Sequence, residues 1–444
     1  MLNYVKKVFY RKLFIELSKK SILYNTIMSG GIVVKRELYL EKICNFMDKD
    51  VIKVIKGMRR CGKSYMFKLI IQELEKRGIN EEDILLIDLE LPAYNQIKTR
   101  EQLDEIVVPF IESHENKVYL FFDEIQNVNE WEVSISSYYK MENTDIYITG
   151  SNSKLMSREF ATLLTGRYIN IELYPFSFNE FLDYKKELNH PPLITNELNS
   201  DLENCFEEYR QYGGIPLAIS SQKDKELVLN GIYSSIILND IVERYEIRNV
   251  GLFNRIVKYI IENTGNLISA NAIYGYLNQE KLKITKQTVY NYLEYLENAY
   301  LIAKISKEDL IGKKEIKGSE KYYLLDVGFY KSQLEEKQSN IGRILENIIF
   351  IELKRHGYKI TVGTVNGYEI DFVCRKDNKK IYIQVTYLLE NESTIEREFR
   401  PLLMIDDNYP KYVLSMDRTF QPQNGIRHMN IIDFLKNFNH DEMV

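Results

Sequence analysis

The chain has few cysteines, no long apolar run and no excess of positive charge. Its four cysteines are scattered and include no Cys-x-x-Cys pair, which argues against a zinc site or a disulfide framework and fits a reducing cytosol. No stretch approaches the roughly 18 consecutive apolar residues of a membrane-spanning helix, so we predict no integral membrane segment. The formal net charge is −5, so any nucleic-acid site must be local. We therefore expect a cytoplasmic protein.

The length of the chain and its first residues suggest several parts. With 444 residues, the chain is too long for one ordinary core and predicts several domains. Residues 1–27 are basic, with apolar residues interleaved. We favour a disordered leader, with Met28 as the true start, over a basic amphipathic helix that rests on an anionic membrane.

One short segment of the sequence has the pattern of a phosphate-binding loop. Residues 57–64 read GMRRCGKS, after a β-rich apolar run and before a helical pattern, and they match G-x-x-x-x-G-K-[S/T]. The glycines let backbone N–H groups curl around phosphate oxygens. Lys63 is predicted to reach the β- and γ-phosphates of ATP, and the Ser64 hydroxyl to bind Mg²⁺. The predicted nucleotide-binding residues are Gly57, Arg60, Gly62, Lys63, Ser64 and Tyr65.

Such a site also needs a second strand that ends in acidic residues. Residues 117–124 read KVYLFFDE, which predicts a buried parallel strand followed by two carboxylates at its carboxyl end. Ligands of open parallel sheets bind at that edge. Asp123 is predicted to hold Mg²⁺ through its water shell, and Glu124 to orient and polarise the attacking water.

Two further polar segments follow the next predicted strand. Residues 149–153 read TGSNS, and Asn152 is predicted to sense the γ-phosphate and to help place the water. Arg167 closes the segment LLTGR and is a candidate arginine finger. Arg59 and Arg60 in the loop are its rivals for contacts with phosphates or a neighbouring subunit. If Arg167 acts in a neighbouring subunit, activity requires a homo-oligomer.

These motifs, taken in order, resemble a known family. The phosphate loop, FDEIQ at 122–126, TGSN at 149–152, LTGR at 164–167 and YPFSFNEF at 174–181 are similar to the AAA-type P-loop ATPases of bacteria and archaea. Members commonly carry a helical or winged-helix segment and an uncharacterised, nuclease-like C-terminal domain. The resemblance implies an α/β fold with a P-loop parallel sheet and a helical lid, followed by winged-helix and α/β nuclease-like domains.

The domain division follows from these patterns. We predict a basic leader at 1–31, an ATPase core at 32–172, a helical lid at 173–250, a winged helix-turn-helix at 251–325 and a nuclease-like domain at 326–444.

The predicted winged helix is the candidate contact with duplex DNA. Three helical segments, at 253–264, 269–277 and 285–298, have the spacing of a helix-turn-helix. The predicted groove-facing residues of the last helix are Lys286, Gln287, Tyr290 and Asn291. The predicted phosphate-contacting wing carries the lysines Lys304, Lys307, Lys313, Lys314, Lys317 and Lys321. Winged helices also serve as protein–protein modules.

The C-terminal segment resembles a nuclease core of the PD-(D/E)xK type in which two positions have changed. Glu346 on a helix and Glu369 and Asp371 in a hairpin stand where the core places its Mg²⁺-binding carboxylates. Gln384 stands in place of the last acid, and Thr386 in place of the lysine. We predict a degenerate nuclease fold kept for binding.

The sequence thus predicts a Mg²⁺-dependent ATPase that acts as a switch or motor on DNA. The alternative is an ATPase switch in signalling or protein assembly that never contacts DNA. A P-loop kinase is less favoured, because Glu124 suits water as the nucleophile and no acceptor-binding motif stands out.

Overall fold

The computed structural model describes residues 34–150, 162–192, 200–279, 284–312, 314–334 and 340–438. The predictions on the leader, on Asn152 and on Lys313 therefore lie outside the described residues. The chain divides into two compact units. The first contains Met1–Gly57 and Gly62–Leu173, and the second contains Met58–Cys61 and Tyr174–Val444.

The first unit is built on a five-stranded sheet. Its strands are β1 Ile52–Gly57, β2 Ile84–Asp88, β3 Val118–Asp123, β4 Thr144–Gly150 and β5 Tyr168–Leu173. All neighbours are parallel, in the order β2-β3-β4-β1-β5. The carboxyl ends of all five strands therefore meet at one edge, and β4 lies between β1 and β3. The predicted α/β fold with a P-loop-type parallel sheet is confirmed.

Helices cover the faces of this sheet because its strands are apolar on both sides. They are α1 Glu37–Cys44, α2 Lys63–Lys76, α3 Arg100–Glu112 and α4 Trp131–Tyr139. Every residue of β3 is buried, and Phe122, Trp131 and Ile135 belong to the same core cluster. A capping box between Thr99 and Gln102 fixes the start of α3.

The second unit begins with a helical segment. Its helices are α5 Phe178–Glu187, α6 Asp201–Tyr212, α7 Pro216–Ser220 and α8 Lys225–Ser235, and α8 continues as a π-helix over Ile236–Glu243. Ser177 and Ser200 form capping boxes at the starts of α5 and α6. The sequence predicted a mainly helical segment at this place.

A tightly packed turn separates α6 from α7. Gly213 has a φ of +71°, which favours glycine, and Pro216 begins α7. A Cβ on Gly214 would lie 2.2 Å from the carbonyl oxygen of Phe176. The buried Asp326 accepts hydrogen bonds from the backbone N–H groups of Gly214 (2.8 Å) and Gly328 (2.9 Å). The turn therefore depends on glycine and on this carboxylate.

The middle of the second unit alternates helices and strands. The elements are α9 Val250–Glu262, β6 Leu267–Ile268, α10 Ala270–Gln279, α11 Lys286–Asn298, β7 Ile302–Asp309 and β8 Lys314–Leu324. The Thr285 side chain caps α11. Strand β8 pairs antiparallel with both β7 and β6.

The same sheet continues into the C-terminal part of the chain. The remaining elements are α12 Gly328–Gln333, α13 Ile341–Arg355, β9 Lys359–Val365, β10 Tyr368–Lys376, β11 Lys379–Val385, α14 Glu392–Leu403, β12 Lys411–Ser415, β13 Arg427–Asn430 and α15 Ile431–Asn437. The strand order is β13-β12-β11-β10-β9-β7-β8-β6. The outer half of β7 pairs parallel with β9 at residues 307–309. One mixed sheet therefore contains strands from both sides of residue 325.

Among the helices of the described residues, none combines the length and the apolar character needed to cross a bilayer.

Candidate functional site

The phosphate-loop pattern lies between β1 and α2, at the carboxyl edge of the parallel sheet. Strand β1 ends at Gly57 and helix α2 begins at Lys63. Gly62 stands at the N-cap of α2 with a φ of +103°, a conformation that L side chains rarely adopt. Glycine offers no capping side chain, so the backbone N–H groups and the positive dipole end of α2 can receive an anion.

The structure brings the predicted phosphate-binding lysine and the predicted base together. The Lys63 ammonium lies 3.4 Å from the Glu124 carboxylate and 3.4 Å from the carbonyl oxygen of Gly57. The Lys63 side chain is 5% exposed and that of Glu124 is 12% exposed. Two elements that are distant in the sequence therefore place opposite charges next to the loop.

Asp123 occupies the centre of the acidic edge. It is buried, and its carboxylate accepts hydrogen bonds from the side chains of Thr149 and Ser64. Burial, and then the neighbouring charge of Glu124, raise the pKa of Asp123 to about 6. The predicted metal-binding pair, Ser64 and Asp123, is thus in direct contact.

Three polar residues at this edge were not among the predicted site residues. Thr149, at the end of β4, donates to Asp123 and accepts the backbone N–H of Glu124 at 3.0 Å. Gln126 donates to the Glu124 carboxylate. Burial, followed by the charge of Glu124, raises the pKa of Asp88, which ends β2. The signal that identifies Thr149 and Asp88 is a polar residue at the carboxyl end of a buried strand.

Glu124 owes its position to an unusual backbone conformation. It directly follows β3 and has a φ of +53°, which is uncommon for a residue other than glycine. Such conformations cluster at functional sites, where the surrounding structure maintains them. The hydrogen bond from the Glu124 N–H to Thr149 provides that support.

The remaining predicted loop residues have different environments. Arg60 is exposed and has a φ of +65°. Tyr65 is half-buried, and the Lys68 ammonium lies 5.9 Å from the centre of its ring. Arg59 belongs with the second unit, where its guanidinium Nε lies 3.3 Å from the Asp240 carboxylate.

Arg167 lies at the opposite edge of the parallel sheet. It precedes β5, and its carbonyl oxygen accepts the N–H of Ile52 at the start of β1 (2.8 Å). Its guanidinium is exposed and lies 5.6 Å from the ring centre of Tyr139. The length of β1 separates the two edges by roughly 17–20 Å. The structure therefore does not bring Arg167 to the phosphate loop of its own subunit.

The predicted groove-facing residues lie along one side of α11. Lys286, Gln287 and Tyr290 are exposed, and Asn291 is half-buried. The Gln287 amide donates to Asn291 at 2.8 Å. The opposite side of α11, which includes Leu293, is buried.

The prediction that Lys321 belongs to an exposed wing is wrong. Its side chain is 3% exposed and contacts Glu346, Glu369 and Asp371. These acids lie on α13 and β10, so β8 places Lys321 against those elements and away from solvent. Lys304, another lysine of the predicted wing, lies 3.7 Å from Glu297.

The comparison with family models agrees with the geometry of the first unit. A model described as "AAA domain" matches residues 49–182. A model described as a domain of unknown function matches residues 203–340. The parallel sheet, the glycine loop before α2 and the acids after β3 together define the class. Residues 49–182 of the chain therefore form an AAA domain of the P-loop type, and the second unit is built on a mixed sheet.

Two relatives extend over most of the chain. An uncharacterised protein of Haemophilus influenzae is 36% identical over 405 residues, which is 91% of this chain and 98% of that protein. An uncharacterised protein of Methanocaldococcus jannaschii is 33% identical over 397 residues, 86% of this chain and 85% of that protein. The chain belongs to the family of these two proteins.

A solved structure is similar over a shorter range. The Walker-type ATPase of Pyrococcus abyssi has 18% sequence identity and a TM-score of 0.48, and the match covers 68% of this chain and 96% of that one.

Proposed function

We propose that the chain binds ATP at the loop of residues 57–64 and hydrolyses it with Glu124 as the base that orients water. The observation that carries this proposal is the Lys63–Glu124 pair at 3.4 Å. When phosphates bind at the loop, Lys63 exchanges a carboxylate for a phosphate as its negative partner. Glu124 is then available to accept a proton from water beside the γ-phosphate.

The residues at this edge fit a magnesium ion. Mg²⁺ is usually held by one or two carboxylates, waters and substrate phosphates, and Asp123 and Ser64 supply oxygen donors next to the loop. A bound Mg²⁺ would neutralise phosphate charge. The raised pKa of Asp123 supports this fit, because it reflects a buried carboxylate beside another negative charge.

Two further residues complete the proposed catalytic set. Asn152 follows β4, the strand between β1 and β3, and is proposed to sense the γ-phosphate. Arg167 is proposed to act in trans, on the nucleotide of a neighbouring subunit. Its exposure and its place at the far edge support a role in trans rather than in its own subunit, which makes a homo-oligomer part of the proposal.

We further propose that ATP turnover is coupled to duplex DNA through a winged helix at 251–325. The order helix, strand, helix, helix, hairpin, with β6 beside β8, supports this assignment. The exposed side of α11 offers a cation, an amide and an aromatic ring in Lys286, Gln287 and Tyr290. These are groups that contact phosphates and base edges.

A second candidate is a switch that contacts protein instead of DNA. Three observations favour it. Lys321 is buried, Lys304 is paired with Glu297, and the outer half of β7 pairs with β9. The hairpin therefore presents fewer lysines to a DNA backbone than its sequence suggests.

We propose that residues 326–444 form a degenerate nuclease-like domain. Glu346 on α13 and Asp371 on β10 lie around one lysine, and Gln384 on β11 stands beside them. This arrangement of helix and strands supports the fold, and the neutral Gln384 and Thr386 argue against cleavage.

One experiment tests whether ATP turnover is coupled to duplex DNA. Phosphate release from Mg²⁺-ATP is measured for the wild type with and without duplex DNA, and DNA binding is followed across a salt series. We expect turnover that DNA alters, and an affinity that falls steeply with salt. Lys63→Ala should lose turnover but keep DNA binding. Turnover in Lys63→Ala would refute the site, and absence of DNA binding at low salt would leave the protein-contact candidate.

A further inference from the structure

The second unit contains a lysine surrounded by acids. The Lys321 ammonium lies 2.7 Å from Glu346, 2.7 Å from Glu369 and 3.4 Å from Asp371. An ammonium group has three N–H donors; here it donates to Glu346 and Asp371, and Glu369 lies within ion-pair distance. Lysine is almost never fully buried unless it is paired, so this arrangement accounts for its burial.

The acids also have other hydrogen-bond partners. The Tyr323 hydroxyl donates to the same oxygen of Glu346 at 2.5 Å. The second oxygen of Asp371 accepts the N–H of Val385 at 2.9 Å. These bonds orient the carboxylates toward Lys321.

Gln384 fits this arrangement better than a glutamate would. Its amide oxygen accepts the N–H of Asp371 at 2.6 Å, and its amide nitrogen donates to Glu398 at 3.2 Å. An ionised glutamate cannot donate and would place a second negative charge against Glu398. The neutral residue therefore gives a fourth acid, the buried Glu398, a hydrogen-bond donor.

The members of the cluster differ in their exposure to solvent. The Lys321 side chain is 3% exposed, those of Glu346 and Asp371 are 9% and 14% exposed, and that of Glu369 is 35% exposed. Water therefore reaches Glu369, whereas the Lys321 ammonium is the cation next to the carboxylates that water reaches least.

We propose that the Lys321 ammonium is the resident cation of the Glu346–Glu369–Asp371 cluster and takes the place that a divalent metal ion has in a metal-dependent nuclease. Among the described residues, no group of three or more His, Cys, Asp or Glu side chains is arranged to hold a metal ion. Metal–oxygen distances of about 2.0–2.6 Å require the carboxylates to converge on the space that the ammonium occupies. The cluster therefore holds the fold together without metal. This inference does not depend on the proposed ATPase or DNA activities.

Mn²⁺ is the probe for the test, applied to the full chain without nucleotide. All variants carry Asp123→Asn, which removes the carboxylate proposed to bind metal beside the phosphate loop. Bound Mn²⁺ is measured by the loss of the free-ion electron paramagnetic resonance signal. We expect no Mn²⁺ binding above the detection limit by the otherwise wild-type chain. Lys321→Met should bind Mn²⁺ at least about 100-fold more tightly than that limit, because a repelling charge has been removed from among three carboxylates.

Matched variants separate this result from general effects. Lys380→Met removes a lysine of the same sheet that lies 2.9 Å from Asp407, and it should gain no Mn²⁺ affinity. If Lys321→Met does not fold, adding Glu346→Gln should restore a folded circular dichroism spectrum. The double variant lacks both charges of the Lys321–Glu346 ion pair, so the buried Glu346 carboxylate is no longer left without its cation. Failure of this rescue would contradict the proposal.

Three other outcomes would overturn it. One is Mn²⁺ binding by the chain with Lys321 intact that is lost on Asp371→Asn. A second is a folded Lys321→Met variant that gains no Mn²⁺ affinity. Nicking of plasmid DNA by the chain with Mn²⁺, abolished by Asp371→Asn, would also refute a lysine-filled cluster.

Discussion

We predict that replacing Glu124 with glutamine separates binding of ATP from its hydrolysis. The change keeps the shape of the side chain and removes its negative charge. In the structure that charge lies 3.4 Å from the Lys63 ammonium, and Gln126 donates to the same carboxylate. Glu124→Gln therefore removes the proposed base and, at the same time, the anion that competes with phosphate for Lys63.

The expected size of each effect follows from the geometry. Loss of a positioned general base lowers turnover by about 10²–10⁴-fold, which corresponds to roughly 3–5 kcal/mol of activation free energy. Two unit charges at 3.4 Å attract by about 5 kcal/mol at an effective dielectric constant of 20. Because dehydration of both groups offsets most of this attraction, we expect ATP affinity to stay the same or to rise by up to about 10-fold.

The assay measures phosphate release at saturating Mg²⁺-ATP and, separately, ATP affinity by calorimetry. Glu105→Gln is the control, since Glu105 is an exposed acid on α3 and its replacement should leave both quantities unchanged. Undiminished turnover in Glu124→Gln would refute the base assignment. Loss of ATP binding together with turnover would show that Glu124 maintains the loop instead.

Two further predictions concern the turn between α6 and α7. Gly214→Ala places a Cβ 2.2 Å from the Phe176 carbonyl oxygen and should lower the free energy of unfolding, measured with urea, by about 3 kcal/mol. The control is Gly231→Ala, where a Cβ meets nothing within 4 Å. Equal effects of the two substitutions on the free energy of unfolding would contradict the packing argument. Burial raises the pKa of Asp326 from 3.8 to about 7, so its contribution to stability is fully present below pH 3.8 and is lost as the pH rises through 7. Asp326→Asn should remove roughly 4 kcal/mol of the pH dependence of the free energy of unfolding. If the difference in free energy of unfolding between pH 4 and pH 7.5 is the same in Asp326→Asn as in the wild type, this role of Asp326 is wrong.

Local patterns predicted the elements of the nucleotide site well. The glycine loop, the apolar strand before Asp123 and the helix after Lys63 are short-range features, and each is present where the sequence indicated. The helix with Glu346 and the hairpin with Glu369 and Asp371 were also predicted, and α13, β10 and β11 are present at these places. Helix α14 and strands β12 and β13 were not predicted, because β12 pairs with β11, β13 pairs with β12 and α14 shares their core cluster, so these elements are defined by partners outside their own segments.

The failures involve side chains whose partners are distant in the sequence. Lys321 has the sequence surroundings of an exposed wing, yet its acids come from α13 and β10. Thr149 became part of the site only because β4 lies between β1 and β3. Arg167 ends the LTGR segment, and the direction of β5 places it at the far edge of the sheet, so its role as an arginine finger stays a prediction for a neighbouring subunit.

The sequence by itself determined the class of the protein, because a phosphate loop is a contiguous segment whose chemistry depends on glycine conformations and on one helix end. Only the tertiary structure decided which charges meet. Strand order and sheet direction set Lys63 against Glu124 and enclosed Lys321 among three acids. The interaction of charges depends on their separation in space and on exclusion of water, and neither quantity is written in the order of residues along a chain.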